Sequence, residues 1–432
     1  MKPVLQVALD FLNSKRAFQV AEEAVEGGVD WLEAGTPLIK SEGLNVLRQL
    51  REKFPRQTLV ADMKIMDVGR IETEAAAKAG ADVVCVLAAA SDSTIRECVE
   101  AGKNYGAKIM ADLIEIKGED LEKRAKEVEK LGIDYIGVHC AIDEQMQAKD
   151  VFSRLCRVAK AVNIPVAVAG GINSETAYRA VKSGAQIVIA GGAITKAADA
   201  AEAARRIKKA IERKETILSK FFKRVSEDEV YKVLKEVSTA NLSDAMHRSG
   251  DLKGIRPVFQ GLKIAGPALT VRTYPGDWAK SVEAVDLAQP GQILVIDAGG
   301  VGPAVWGELA TGGAIQAKIA GVVIDGAVRD TPEIKKLQFP VFSKLVSPTA
   351  GEPKGFGEIG IPIVAGGVRV YSGDWIVGDD DGVVCIPKNK VAEIANRAMG
   401  ILEQENRLRK EIERGSTLAK VIELLKWEKN KP

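Results

Sequence analysis

Short β-branched runs alternate with amphipathic stretches of helical period from Pro3 to about Ile211. Such alternation is the signature of βα units laid on a parallel sheet. The apolar runs are Val4–Leu9, Trp31–Glu33, Thr58–Ala61, Val83–Leu87, Lys108–Ala111, Tyr135–Val138, Pro165–Ala169 and Ile187–Ala190. Between them lie Lys15–Glu26, Leu44–Phe54, Ile71–Ala79, Ser93–Tyr105, Leu121–Leu131 and Ser174–Ser183, most of them closed by a glycine (Gly27, Gly80, Gly106, Gly132, Gly184). Glycine there can take the left-handed conformation that ends a helix. Eight units in about two hundred residues predict an α/β fold of the (β/α)8 barrel type, with an open doubly wound sheet as the alternative.

After Ile211 the period breaks. The charged run Glu212–Arg224, with Phe221 and Phe222 inside it, reads as a helix end followed by a linker. The expected division is therefore a barrel over 1–212, a linker over 213–226 and a second α/β domain over 227–432. That domain contains a glycine-punctuated β region (Leu262–Val271), the apolar run Ile293–Ile296 before Asp297, and the cluster Gly299-Gly300-Val301-Gly302-Pro303. A charged helix is expected from Lys390 to Lys429.

Composition narrows the function classes. At 432 residues the chain exceeds what one core usually serves, which supports two domains. Lys plus Arg (61) nearly balance Asp plus Glu (59), so nucleic acid is not expected as a partner on charge. No apolar run reaches membrane-spanning length and Met1-Lys2-Pro3-Val4 leads straight into a strand, so no membrane partner and a cytoplasmic location are expected. The five cysteines (Cys85, Cys98, Cys140, Cys156, Cys385) lack metal-ligand spacing and read as reduced and structural.

Candidate chemistry gathers where the apolar runs stop. Asp62-Met63-Lys64-Ile65-Met66-Asp67 follows the third run, and strand alternation puts Asp62 and Lys64 on one side. Burying these charges unpaired would cost several kcal/mol each, so they pair with each other, bind a metal or face a polar cavity. Asp10 ends the first run, Glu33 the second, Asp112 the fifth and His139 the sixth. The seventh and eighth run into Gly170-Gly171 and Gly191-Gly192, where backbone amides of a barrel can cradle a phosphate.

Six segments together resemble 3-hexulose-6-phosphate synthase, of the orotidine-monophosphate-decarboxylase suprafamily. They are Val7–Asp10, Glu33–Ile39, Ala61–Asp67, Tyr135–His139, Val168–Ile172 and Ala190–Thr195. The resemblance implies an aldol addition of formaldehyde to D-ribulose 5-phosphate giving D-arabino-3-hexulose 6-phosphate, or the reverse. It implies Mg2+ (or Mn2+) on Glu33 and Asp62, Lys64 beside the developing oxyanion, and His139 as proton shuttle. Asp10 would hold Lys64 or a sugar hydroxyl, and Asp112 would contact the sugar. Asp67 would reach a neighbouring subunit's site, making the active barrel a dimer. The related 3-keto-L-gulonate-6-phosphate decarboxylase is the alternative, and it tends to carry Arg where this chain has Gly192.

The second half is similar to the RraA-like family, through G-E-L (Gly307, Glu308, Leu309), D-G-A-V-R-D (Asp325–Asp330) and D-D-D-G-V-V (Asp379–Val384). That family holds regulators of ribonuclease E and class II 4-hydroxy-4-methyl-2-oxoglutarate aldolases, and implies a swivelling β/β/α domain. In the aldolase reading Arg329 holds a pyruvyl carboxylate, Asp330 carries the metal, and the amides of Gly307–Leu309 bind an enolate oxygen. Asp379-Asp380-Asp381 reads as an acidic turn before a strand.

Overall fold

The computed structural model describes residues 2–140, 151–219 and 224–422. The chain divides into two compact units, Met1–Phe222 with Glu403–Pro432, and Lys223–Leu402. Phe221 and Phe222 of the expected linker lie outside the described residues.

In the first unit eight parallel strands close a barrel in chain order. They are β1 (Val4–Leu9), β2 (Trp31–Ala34), β3 (Thr58–Ile65), β4 (Val83–Leu87), β5 (Lys108–Asp112), β6 (Tyr135–His139), β7 (Val166–Ala169) and β8 (Ile187–Ala190). Closure comes from β1 pairing β8, Val4 opposite Ile187 and Val7 opposite Ala190, which excludes the open-sheet alternative. Alternation divides each strand between two cores. Leu5, Val7 and Leu9 pack with helix residues such as Val20 and Leu47, while Trp31, Val60, Val83, Cys85, Met110, Tyr135, Ala167 and Ile187 form a separate cluster that fills the barrel. Trp31 and Tyr135 meet edge to face there, with centroids 5.6 Å apart.

β3 departs from the expected strand. It runs four residues past Ala61, and its register to β4 slips between Ala61 and Ile65, where Lys64 takes a φ of 48°. A bulge of this kind re-aims side chains at a strand end. The expected helix Lys390–Lys429 is Val391–Glu413, stopped by a turn in which Gly415 has a φ of 97°. Lys429 lies outside the described residues.

That helix also corrects the expected boundary, since the residues from Glu403 onward group with the first unit and not with 227–402. The cause is ionic. Arg407, 3% exposed, donates to both oxygens of Glu23 at 3.0 Å, to the Ala197 carbonyl at 2.8 Å and to Glu411 at 2.9 Å. Arg16 grips Glu411 with two bonds of 2.6 Å.

The second unit is built on a mixed sheet. Four parallel strands, β10 (Ile264–Thr273), β11 (Ile293–Asp297), β13 (Gly321–Val328) and β14 (Val341–Val346), are flanked by antiparallel β9 (Arg256–Pro257) beside β14 and the hairpin β18 (Trp375–Asp379) and β19 (Gly382–Ile386) beside β10. β12 (Ala304–Trp306) pairs with β13, β15 (Gly357–Ile359) pairs with β10, and β16 (Ile363–Ala365) and β17 (Val368–Val370) form a separate hairpin. Every residue of β13 is buried, Asp325 included, as a central strand covered on both faces requires. The acidic turn is the β18–β19 connection. Asp379 accepts from the backbone N–H and hydroxyl of Thr239, and Asp380 from the Gly261 N–H.

Candidate active sites

At the C-terminal rim of the barrel, Asp62, Lys64, Asp112 and His139 form one chain of contacts. Lys64 Nζ lies 2.8 Å from Asp62 Oδ2 and 3.4 Å from Asp112 Oδ2, and His139 Nδ1 lies 3.1 Å from that same Asp112 oxygen. The Ile114 N–H donates to Asp112 Oδ1 at 2.9 Å. The Thr36 hydroxyl donates to Asp62 Oδ2 at 2.7 Å. Glu33, Asp62 and Asp112 are each 8% exposed.

Electrostatics tie Asp10 and Glu33 to the same group. Burial, then the Asp62 and Asp10 carboxylates, push the Glu33 carboxyl well above its ordinary range, against the pull of the Gln6 hydrogen bond and Lys64. Asp10 opens to solvent yet is crowded by protein on most sides, and this desolvation, with Asp62, raises its pKa. Burial opposes the charge on Lys64, but Asp62 and Asp112 outweigh it and hold the ammonium protonated. Burial likewise opposes ionised Asp112, and the His139 hydrogen bond and charge win, lowering its pKa. Four carboxylates thus share one lysine, an excess of negative charge that a divalent cation would offset. Among the described residues no three Asp, Glu, His or Cys side chains converge as ligands. Two carboxylates completed by water are nonetheless a donor set that Mg2+ accepts.

Asp10 makes no ion pair with Lys64, whose partners are Asp62 and Asp112. Its carboxylate sits against Gly35, where a Cβ would lie 2.1 Å from Oδ1. Asp112, expected at the sugar, is engaged by His139, Lys64 and a backbone amide. Asp67 lies outside the cluster, exposed, with its carboxylate on the Val68 N–H. Met66, Val68 and Ile71 around it are 54%, 51% and 65% exposed. Gly170 and Gly171, with φ of 116° and 69°, follow β7, and Gly191 and Gly192 follow β8. Gln6, Thr36 and Arg154 were not anticipated. Arg154 donates to the carbonyls of His139, Leu113 and Ile116 at 3.0–3.2 Å, joining the ends of β5 and β6. Gln6 had a signal in the sequence, as the one polar residue inside Val4–Leu9. Cys85, buried under the rim, has its thiol pushed up by burial and by Asp62 and Glu33.

In the second unit Arg329 Nε and Asp330 Oδ2 are 3.5 Å apart, both partly exposed at the end of β13. Gly307 faces them, and a Cβ there would meet Asp330 Oδ2 at 2.6 Å and Arg329 Cγ at 3.3 Å. The Glu308 N–H, expected on an enolate oxygen, donates to Asp330 Oδ2 at 3.2 Å. Leu309 is 84% exposed. A second pair went unanticipated: buried Asp325 accepts from Lys344 at 3.1 Å and from the Gly366 N–H at 2.8 Å.

Residues 3–207 match the family model described as Orotidine 5'-phosphate decarboxylase / HUMPS family, and residues 239–385 the model described as RraA-like: Aldolase/RraA. The chain is 42% identical over 208 residues to 3-hexulose-6-phosphate synthase of Bacillus subtilis, covering 98% of that protein and 48% of this chain. It is 30% identical to the solved 3-keto-L-gulonate-6-phosphate decarboxylase of Vibrio cholerae, covering 49% of this chain and 99% of that one, with a TM-score of 0.45. It is 29% identical to the solved RNA-processing inhibitor RraA of Thermus thermophilis, covering 35% of this chain and 93% of that one, with a TM-score of 0.33. No helix among the described residues is long and apolar enough to cross a membrane. Through its first half the chain belongs to the orotidine 5'-phosphate decarboxylase / HUMPS family, and its second half carries an RraA-like domain.

Proposed function

We propose that the first unit catalyses the aldol addition of formaldehyde to D-ribulose 5-phosphate, giving D-arabino-3-hexulose 6-phosphate, or the reverse. The observation that carries this reading is the continuous contact from Asp62 through Lys64 and Asp112 to His139 at one rim. Asp112, held ionised, accepts from His139 Nδ1–H, so Nε2 keeps its lone pair for the substrate. His139 takes the proton from C1 of the ketose and an enediolate forms. Its C1 attacks the formaldehyde carbon, and the imidazolium returns the proton to the new alkoxide. The Lys64 ammonium stabilises negative charge on the enediolate oxygens. A divalent cation on Glu33 and Asp62 would add positive charge at the same place. Amides after β7 and β8 are suited to the phosphate. The exposed Met66, Val68 and Ile71 around Asp67 support a barrel dimer in which Asp67 serves the neighbouring site.

The test is formaldehyde-dependent loss of ribulose 5-phosphate, with and without Mg2+, in native protein and in Asp62→Asn. Activity that requires Mg2+ and disappears in the variant is expected; unchanged activity in Asp62→Asn would sink the site. Decarboxylation of 3-keto-L-gulonate 6-phosphate passes through a similar enediolate, and Gly192 in place of Arg favours the synthase. CO2 release from that substrate separates the two.

For the second unit the reading is a metal-dependent pyruvyl aldolase or oxaloacetate decarboxylase. Arg329 would hold the carboxylate and Asp330, with waters, the metal. The close approach that Gly307 allows to Asp330 and Arg329 supports this reading over a ribonuclease regulator. Pyruvate release from oxaloacetate, lost in Asp330→Asn, is the expected result; no lyase activity in the native protein would leave the regulator.

A further inference from the structure

Gln6 lies in the middle of β1, 1% exposed, opposite Trp31 and Ile189 on the flanking strands. It therefore stands among the apolar side chains that fill the barrel. Its Nε2 donates to Glu33 Oε2 at 2.5 Å, whereas its Oε1 has no hydrogen-bond partner. A buried carbonyl without a donor costs about 1–3 kcal/mol, and an unbranched apolar side chain of similar volume would fill the place without that loss. Packing therefore does not account for an amide at this position. Its other end does: among the described residues, Gln6 supplies the one hydrogen bond that reaches the Glu33 carboxylate.

We infer that Gln6 is a positioning residue of the first unit, fixing one oxygen of Glu33 so that the other is presented to a divalent cation shared with Asp62. The inference rests on the metal reading of that site. Without the amide, the nearby Asp10 and Asp62 charges would drive Glu33 away from the geometry a cation needs. Partners one step removed from a metal orient its ligands in this way, and their loss typically weakens binding 10–100-fold.

The test uses the full chain carrying Asp330→Asn, so that a cation in the second unit does not contribute. Mn2+ affinity is measured by titration calorimetry in this parent and with Gln6→Met, Gln6→Asn or Asp62→Asn added. Thermal unfolding of each metal-free protein runs beside it. Gln6→Met and Gln6→Asn, whose amide is too short to reach, are expected to raise the Mn2+ dissociation constant about 10–100-fold. Gln6→Met should unfold at the parent's temperature or above. Mn2+ binding within threefold of the parent in both Gln6 variants would overturn the inference alone, as would a lowered unfolding temperature with unchanged affinity. A parent whose Mn2+ binding does not respond to Asp62→Asn would overturn the metal reading, and the inference with it.

Discussion

His139 Nδ1 and Asp112 Oδ2 are 3.1 Å apart, at the ends of neighbouring strands β6 and β5. The carboxylate sets which imidazole nitrogen carries the proton, as an orienting acid does in hydrolase triads. Asp112→Asn leaves the shape but can present its amide N–H to Nδ1 and reverse the tautomer. Turnover of ribulose 5-phosphate with formaldehyde should fall by about 10²–10⁴-fold with little change in KM. A loss below tenfold in steady-state assays would show that His139 needs no partner.

Glu33 couples stability to the site with a definite sign. A carboxyl whose folded pKa is raised above the unfolded value of 4.5 favours the fold below that value, and the benefit is lost as pH rises through the folded pKa. Metal-free protein should therefore lose stability on going from mildly acidic to mildly alkaline pH, and Glu33→Gln should reduce that loss. Mg2+ at about 100 times its dissociation constant should add about 2.7 kcal/mol in the native protein at alkaline pH and far less in Glu33→Gln. Calorimetric unfolding with and without Mg2+ reads both effects.

Gly35 and Asp10 make a third test. A Cβ at residue 35 would lie 2.1 Å from Asp10 Oδ1 and 3.0 Å from the Leu9 carbonyl oxygen. Gly35→Ala should cost about 1–3 kcal/mol from overpacking and displace the Asp10 carboxylate. Denaturant unfolding and synthase assays on the same preparation should both register it.

Gly307→Ala should act on the second unit through position alone. Its Cβ would enter the space of the Asp330 carboxylate, so metal-dependent lyase activity should fall at least about tenfold. Consumption of ribulose 5-phosphate should stay at the native rate.

Arg407 is the place to test the closing helix. Its guanidinium is buried between Glu23 and Glu411, and removing one partner of such a pair costs about 3–5 kcal/mol. Arg407→Met should lower the unfolding temperature of the first unit. Burial opposes ionised Glu411, but Arg16 and Arg407 win and lower its pKa below 4.5. Its contribution is present above that value and is lost as pH falls through the folded pKa, so the native protein should show an acid destabilisation that Arg407→Met blunts.

The barrel was legible because most strands announce themselves twice, by an apolar run and by a polar residue or a glycine pair where the run stops. β3 runs four residues past its expected end while β2, β5 and β6 run one residue past theirs, since a bulge at Lys64 has no signature in residue type. That bulge also means that Asp62 and Lys64 meet through a left-handed backbone and not through simple alternation. Asp10, Glu33, Asp62, Lys64, Asp112 and His139 were legible as a set, but their partnerships were not. Which carboxylate takes Lys64 or His139 depends on register between strands distant in sequence, which is why the pairing of Asp112 with His139 could not be read from the residues alone. Gln6 does not stand out in the sequence because one polar residue in an apolar run looks like a tolerated exception. The division of the closing helix was hidden because its charges resemble a solvated face until Arg407 is seen with Glu23 from the start of the chain.

That grip reaches back 384 positions along the chain and bears on protein engineering. A gene cut just past residue 222 would encode every strand of the barrel while leaving Glu23 and Arg16 without the side chains that engage them. Separating the two units therefore calls for excising 223–402 and rejoining the flanks with a flexible bridge, not for introducing a stop codon.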